Sequence, residues 1–186
     1  MREVEIKAAC SREAAAELEK YLLGQGYVCT AEYRQEDDYY NHPARNFMET
    51  DEAVRLRRVL TGEKAVAVFT YKGPNRSERG QSREELECGV DDAVTMRAAL
   101  DRLGFRAVAS VYKNRKTYER RDITVCIDSV EELGSFFEVE ILCEEGGEAA
   151  ASAALDALME ELRFLNYREE PRTYLELLLR KGAGRG

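Results

Sequence analysis

Charge of both signs recurs at spacing two along the runs of this chain that read as strands. Glu3, Glu5 and Lys7 open the series. Arg55 with Arg57, Lys72, Arg83 with Glu85 and Glu87, Lys113 with Arg115, Asp128, and Glu138 with Glu140 continue it. Residues two apart on a strand share a face, and Val54, Leu56, Phe69, Leu86, Cys88, Ile127, Val139 and Ile141 fall on the opposite one. The Arg fork and the Lys ammonium suit phosphate oxygens, whereas clustered carboxylates suit a hard cation such as magnesium or manganese. A metal-bound polyphosphate would satisfy both halves of such a face.

The elements that must carry these residues follow from periodicity and turn signals. Strict alternation over 2–9 predicts a strand. Ser11 caps a helix that stops at Gly24 and Gly26. Further strands are predicted over 27–40, 53–60, 64–72, 82–90, 106–118, 123–128 and 135–143, with a polar loop over 73–80. A helix opens at Asp91-Asp92 and ends at Gly104, and two more cover 148–165 and 172–181. Two architectures fit. A sheet can bury its apolar face and leave the charged one in water. Alternatively, helices outside a closed barrel can cover the apolar face, so that the charged face lines a tunnel. The second is stable only if the charges pair or hold ligands, because isolated buried charge is too costly.

With 186 residues the chain is long enough to bury a sizeable core without a disulfide or structural metal, and it reads as one domain over 1–181 with a flexible tail over 182–186. A net charge of -8 opposes attraction to nucleic acid or anionic lipid. Cys10, Cys29, Cys88, Cys126 and Cys143 form no C-x-x-C pair and read as reduced, buried small hydrophobes. His42 is the sole histidine and is expected in a surface loop, which excludes a His-based metal cluster and a Ser-His-Asp triad. G-x-x-x-x-G-K-[ST] is absent, which disfavours a P-loop ATPase. The N-terminus shows no apolar signal run and no stretch is long enough to span a bilayer, so a cytoplasmic protein is expected.

Glu3-Val4-Glu5-Ile6-Lys7 resembles the E-x-E-x-K signature that opens the first strand of CYTH proteins, the triphosphate tunnel metalloenzymes that include class IV adenylyl cyclases and thiamine triphosphatases. The resemblance continues in family order through Gln35 to Tyr40, Arg55-Leu56-Arg57, Thr70 to Gly73, Arg83 to Glu87, Lys113-Asn114-Arg115, Asp128, Gly134 to Glu140 and Thr173 to Leu178. It implies an α+β fold, a closed antiparallel eight-stranded β-barrel with helices packed outside.

By the same resemblance Lys7, Arg55, Arg57, Lys72, Arg83, Lys113 and Arg115 grip the triphosphate. Glu3, Glu5, Glu85, Glu87, Asp128, Glu138 and Glu140 form the metal set for Mg2+ or Mn2+, with Glu85 and Glu87 alternatively pairing with bases. Glu5, Lys7, Lys113 and Arg115 are the implied catalytic residues. Asp37 to Pro43, Thr50 to Arg57 and Thr70 to Pro74 look most like the class IV cyclase branch, which implies conversion of ATP to cyclic AMP and pyrophosphate, and a homodimer. Cyclases of that branch often carry a His-Phe pair before the signature, where this chain has Met1-Arg2. Hydrolysis of tripolyphosphate, a nucleoside triphosphate or thiamine triphosphate is therefore the alternative, followed by a non-catalytic polyphosphate-binding or nucleotide-binding module.

Overall fold

A computed structural model describes residues 2–74 and 84–183, the side chains of Arg2 and Glu3 excepted. In chain order the elements are β1 (Arg2–Cys10), α1 (Arg12–Gly24), β2 (Val28–Asn41), α2 (Phe47–Thr50), β3 (Ala53–Thr61), β4 (Lys64–Lys72) and β5 (Glu85–Val90). Then come α3 (Ala93–Arg102), β6 (Arg106–Arg120), β7 (Ile123–Val130), β8 (Gly134–Cys143), α4 (Glu148–Glu161), a 3-10 turn (Leu162–Leu165), β9 (Arg168–Glu169) and α5 (Tyr174–Ala183).

The helix starts are set by side-chain chemistry. The Ser11 hydroxyl accepts from the Ala14 N–H at 3.1 Å, and the Asp92 carboxylate accepts from the N–H groups of Val94 and Thr95, satisfying donors that a first turn otherwise leaves open. At α5 the Thr173 hydroxyl accepts from the Glu176 N–H while the Glu176 carboxylate accepts from the Thr173 N–H, a reciprocal capping box. Between β3 and β4, Gly62 takes a φ of 58°, the positive value that tight hairpin turns require.

Hydrogen bonds order the strands as β5-β4-β3-β2-β6-β7-β8-β1-β9. Among the described residues this nine-stranded antiparallel sheet is not closed by hydrogen bonds, and β5 and β9 are its end strands. The expectation was eight strands in a closed barrel. The ninth strand accounts for part of the difference: Ala8 and Ala9 pair with Glu169 and Arg168, and the Glu170 N–H donates to the Lys7 carbonyl at 2.8 Å. The edge of β1 is thereby occupied by a two-residue strand.

The chain forms two compact units, with β2 and β6 each contributing to both. In the first unit, α1 and α4 bury the apolar face of β1, β7 and β8. Leu18, Leu22, Leu155 and Leu162 are fully enclosed with Val125, Phe137 and Val139 in one core. In the second unit, Leu100 of α3 and Phe47 of α2 pack with Tyr40, Val54 and Leu56 from the apolar face of β2 and β3. In both units the buried aliphatic residues lie under helices, which both readings of the alternation share, whereas Leu86 of β5 is exposed.

Several local expectations change. The run over 148–165 is a helix followed by a 3-10 turn, because Leu162 and Leu165 keep the three-residue spacing that both forms share. Cys29 and Cys88 are exposed and only Cys126 is buried, so the thiols are not uniformly core residues. Cys88 lies on the end strand β5, whose outer face is incompletely covered. His42 lies in the loop after β2 but is half-buried there: its ring meets Phe105 edge-on at 5.3 Å, and its Nδ1 accepts from the Ala44 N–H at 3.1 Å.

Candidate functional site

The second unit gathers bases on the face opposite its core. Register alone sets this arrangement: Tyr39 lies opposite Arg55 and Asp37 opposite Arg57, while Arg55 pairs with Thr70, Ala53 with Lys72, Thr70 with Glu87, and Lys72 with Glu85. The face therefore carries Arg55, Arg57 and Lys72 on adjacent rungs. Lys113 of β6 is buried, with its Nζ 5.0 Å from the centre of the Tyr174 ring, a cation–π contact.

Asp37 is the hub. It is 3% exposed, and Arg57 donates to it twice, Nε to Oδ1 and Nη2 to Oδ2, both at 2.7 Å. Burial alone would raise its pKa, but the Arg57 bonds and the charges of Arg57, Arg55 and Lys113 hold it below the ordinary carboxylate range. Arg55, also buried, donates from Nη2 to the Thr70 hydroxyl at 3.2 Å, and Thr70 in turn donates to Glu87 at 2.8 Å. Its Nε is buried without a hydrogen-bond partner among the described residues. Lys72 donates to Glu85 at 2.6 Å. Burial, with Arg55 and Arg57 adding repulsion, pushes its pKa down against the pull of Glu85.

The first unit gathers carboxylates. Arg115 of β6 is 9% exposed and donates from Nε and Nη2 to the two oxygens of Asp128 at 2.7 and 2.6 Å, and from Nη2 to Glu138. Burial would depress the guanidinium pKa, but Glu138 and Asp128 hold it well above the ordinary value. Cys126 lies opposite Glu138 on the same face, and burial pushes its thiol up to about 12. On β1, Glu5 stands opposite Glu140 and Lys7 opposite Glu138.

A divalent cation can be tested against these residues. Like charges directly across a ladder repel, and Glu5 facing Glu140 is such a pair. No group of three or more His, Cys, Asp or Glu side chains stands ready to hold an ion among the described residues. Two carboxylates are nevertheless what magnesium takes when phosphate oxygens complete its octahedron, and hard oxygen donors suit magnesium and manganese alike. The residues fit a cation delivered with a phosphate ligand.

Placement of the expected residues is then as follows. Arg55, Arg57, Lys72 and Lys113 come together in the second unit with Glu85 and Glu87, whose carboxylates lie against Lys72 and Thr70. Lys7, Arg115, Asp128, Glu138, Glu5 and Glu140 share the charged face of the first, where Asp128 and Glu138 engage Arg115. Arg83 and the Glu3 side chain lie outside the described residues. Sequence reading passed over Asp37, Tyr39, Gln35 and Thr70 as site residues. The alternation of Gln35, Asp37 and Tyr39 was there to be seen, but Asp38 next door is charged too. Its partners, Arg97 and Ser110, are on the outer face.

Comparison with known proteins gives this geometry a family. The chain is 34% identical over 178 residues to a Methanocaldococcus jannaschii protein whose name, MJ0240, carries a provisional assignment as an adenylate cyclase, and the match covers 94% of this chain and 96% of that one. The structure of the Pyrococcus horikoshii OT3 protein PH1819 superposes with a TM-score of 0.82 at 36% identity, covering 97% of this chain and 99% of that one. The Hippeastrum protein HpAC1, described as an adenylyl cyclase candidate with a dominant triphosphatase activity, shares the fold at a TM-score of 0.71 and 18% identity, with 97% and 96% covered. The CYTH domain family matches residues 1–174, nearly the whole chain, and the protein belongs to that family.

Proposed function

We propose that this protein is a metal-dependent enzyme acting on triphosphates, and that its reaction is the class IV cyclase reaction, conversion of ATP to cyclic AMP and pyrophosphate. The observation that carries the reading is the base cluster of buried Arg55 and Lys113 with half-buried Arg57 and Lys72, in which one guanidinium donor, Arg55 Nε, has no acceptor among the described residues. A triphosphate supplies acceptors of the right charge, and the Arg forks hold its oxygens in fixed geometry.

Each group then has a part. Arg55, Arg57, Lys72 and Lys113 bind and orient the phosphates, and their charge offsets that of the departing pyrophosphate. Glu85 and Glu87 neutralise the bases until substrate arrives; both are substantially exposed and sit on an end strand, so they can turn aside. Asp37 and Asp128 hold Arg57 and Arg115 in their rotamers. Glu5 and Glu140 would hold magnesium or manganese, which supplies Lewis-acid polarisation of the phosphate when bound. Lys7 and Arg115 are the phosphate-binding bases of the first unit. In the cyclase reaction the ribose 3′ hydroxyl oxygen bonds to the α-phosphorus and gives up its proton to water, the bond from that phosphorus to the bridging oxygen breaks, and pyrophosphate leaves.

Hydrolysis of the terminal phosphate is the second reading, favoured by the triphosphatase activity attributed to HpAC1. Chromatographic product analysis separates the two, with ATP and tripolyphosphate supplied separately with magnesium or manganese. Cyclic AMP with pyrophosphate, abolished in Glu5→Gln and Glu140→Gln, is the expected result. Orthophosphate release from either substrate would instead establish the hydrolase, and turnover of neither would leave a binding module or a substrate not supplied, such as thiamine triphosphate.

A further inference from the structure

We propose that Gln35 reads the far end of the ligand, its side-chain amide oxygen accepting a hydrogen bond from an amino group on a heterocycle such as adenine. The inference deepens the triphosphate reading above and rests on it.

Gln35 is 4% exposed, and its Oε1 is buried with no hydrogen-bond partner among the described residues. An acceptor left unpaired in the interior costs roughly as much as a lost hydrogen bond. Its strand position puts it on the same face as Asp37 and Tyr39, opposite Val59 of β3. An acceptor cannot be satisfied by phosphate oxygens, which only accept at neutral pH. The amide therefore calls for a donor, which the triphosphate end of the ligand does not have.

The rungs of the face show where that donor would lie. Lys72 with Glu85 comes first, then Arg55 with Thr70 and Glu87, then Arg57 with Asp37. On the β3 and β4 side, the next rung, Gln35 with Val59 and Val66, carries no charge. Val59 is part-exposed and Val66 is exposed, so an apolar surface is open beside the amide. Charge thus runs out along β3 and β4 at the point where the unpaired acceptor appears. Four residues of strand separate Arg55 from Val59, about 14 Å. That distance suits an extended nucleotide with its phosphates on the bases and its ring against the valines.

The test compares ATP with inosine triphosphate, which differs in bearing a carbonyl where adenine has the amine, and with tripolyphosphate, which has no ring. Binding to the full chain is measured calorimetrically with magnesium, for the unaltered protein and for Gln35→Leu, with thermal unfolding as a check that the variant folds. The unaltered protein is expected to prefer ATP over inosine triphosphate, and Gln35→Leu to lose roughly tenfold in ATP affinity while tripolyphosphate binding is unchanged. Equal loss for all three ligands, or an unchanged ATP to inosine triphosphate ratio, would overturn the role of Gln35 while leaving the triphosphate site standing. Failure of the unaltered protein to bind tripolyphosphate at all would overturn both.

Discussion

Asp128 shows how closely the charges of this protein depend on one another. It is fully buried and its two oxygens accept from Arg115, itself enclosed, so removing the carboxylate leaves the guanidinium only Glu138 as a counter-ion among the described residues. Breaking one partner of such a pair costs about 3–5 kcal/mol. Asp128→Asn is therefore expected to lower the denaturant midpoint sharply at unchanged m-value, as read from guanidinium unfolding. Asp37 makes a prediction in pH. Its folded pKa lies below that of the unfolded chain, which is about 3.9. The unfolded state then binds more protons in the acid range, so this stability is present above about pH 4 and is lost as pH falls through the folded value. Asp37→Asn should flatten the acid limb of stability against pH in urea titrations, and an unaltered limb would remove Asp37 as its source. Residues of this kind were half legible. Arg55, Arg57 and Lys72 stood out by alternation, but Asp37 is flanked by Asp38, and charge of one sign on both faces hides which aspartate turns inward. Only the register opposite Arg57 tells them apart.

The elements were legible wherever their period ran long enough. β4 over Lys64–Lys72 and the Ser11 cap of α1 follow the sequence closely, because a nine-residue run rich in strand formers or a cap followed by an apolar stripe leaves little choice. α2 and β9, at four and two residues, span only about one period of their own patterns and left no trace. Both depend on contacts that no local window contains: the first on Phe47 entering the core, the second on the edge of β1. The Ser11 cap can be checked directly. Ser11→Ala removes the acceptor for the Ala14 N–H and should cost about 1 kcal/mol in equilibrium unfolding, while Ser11→Asp should restore most of it.

At the scale of the whole molecule the charge balance sets how folding responds to ligand. A face that crowds Arg55, Arg57, Lys72 and Lys113 repels itself, and the pKa of Lys72, lowered first by burial, is lowered further by Arg55 and Arg57. Anything that binds only the folded chain stabilises it by mass action. Tripolyphosphate with magnesium at about a hundred times its Kd should raise Tm by about 5–10 °C. The rise should shrink markedly in Arg55→Gln; equal rises in both proteins would remove Arg55 from the binding site. The family was legible because its blocks recur in order along the chain, and the strand count was not, because edge pairing is decided by folding rather than by pattern. β2, finally, works like a reading frame. Asp37 and Tyr39 point to the charged face, while Asp38 and Tyr40 point to the helices. Inserting one residue ahead of them would exchange the two sets at a stroke. Changes in chain length should therefore be carried by turns such as the one at Gly62, or arrive within strands in pairs, and natural or engineered variants that break this parity should not fold.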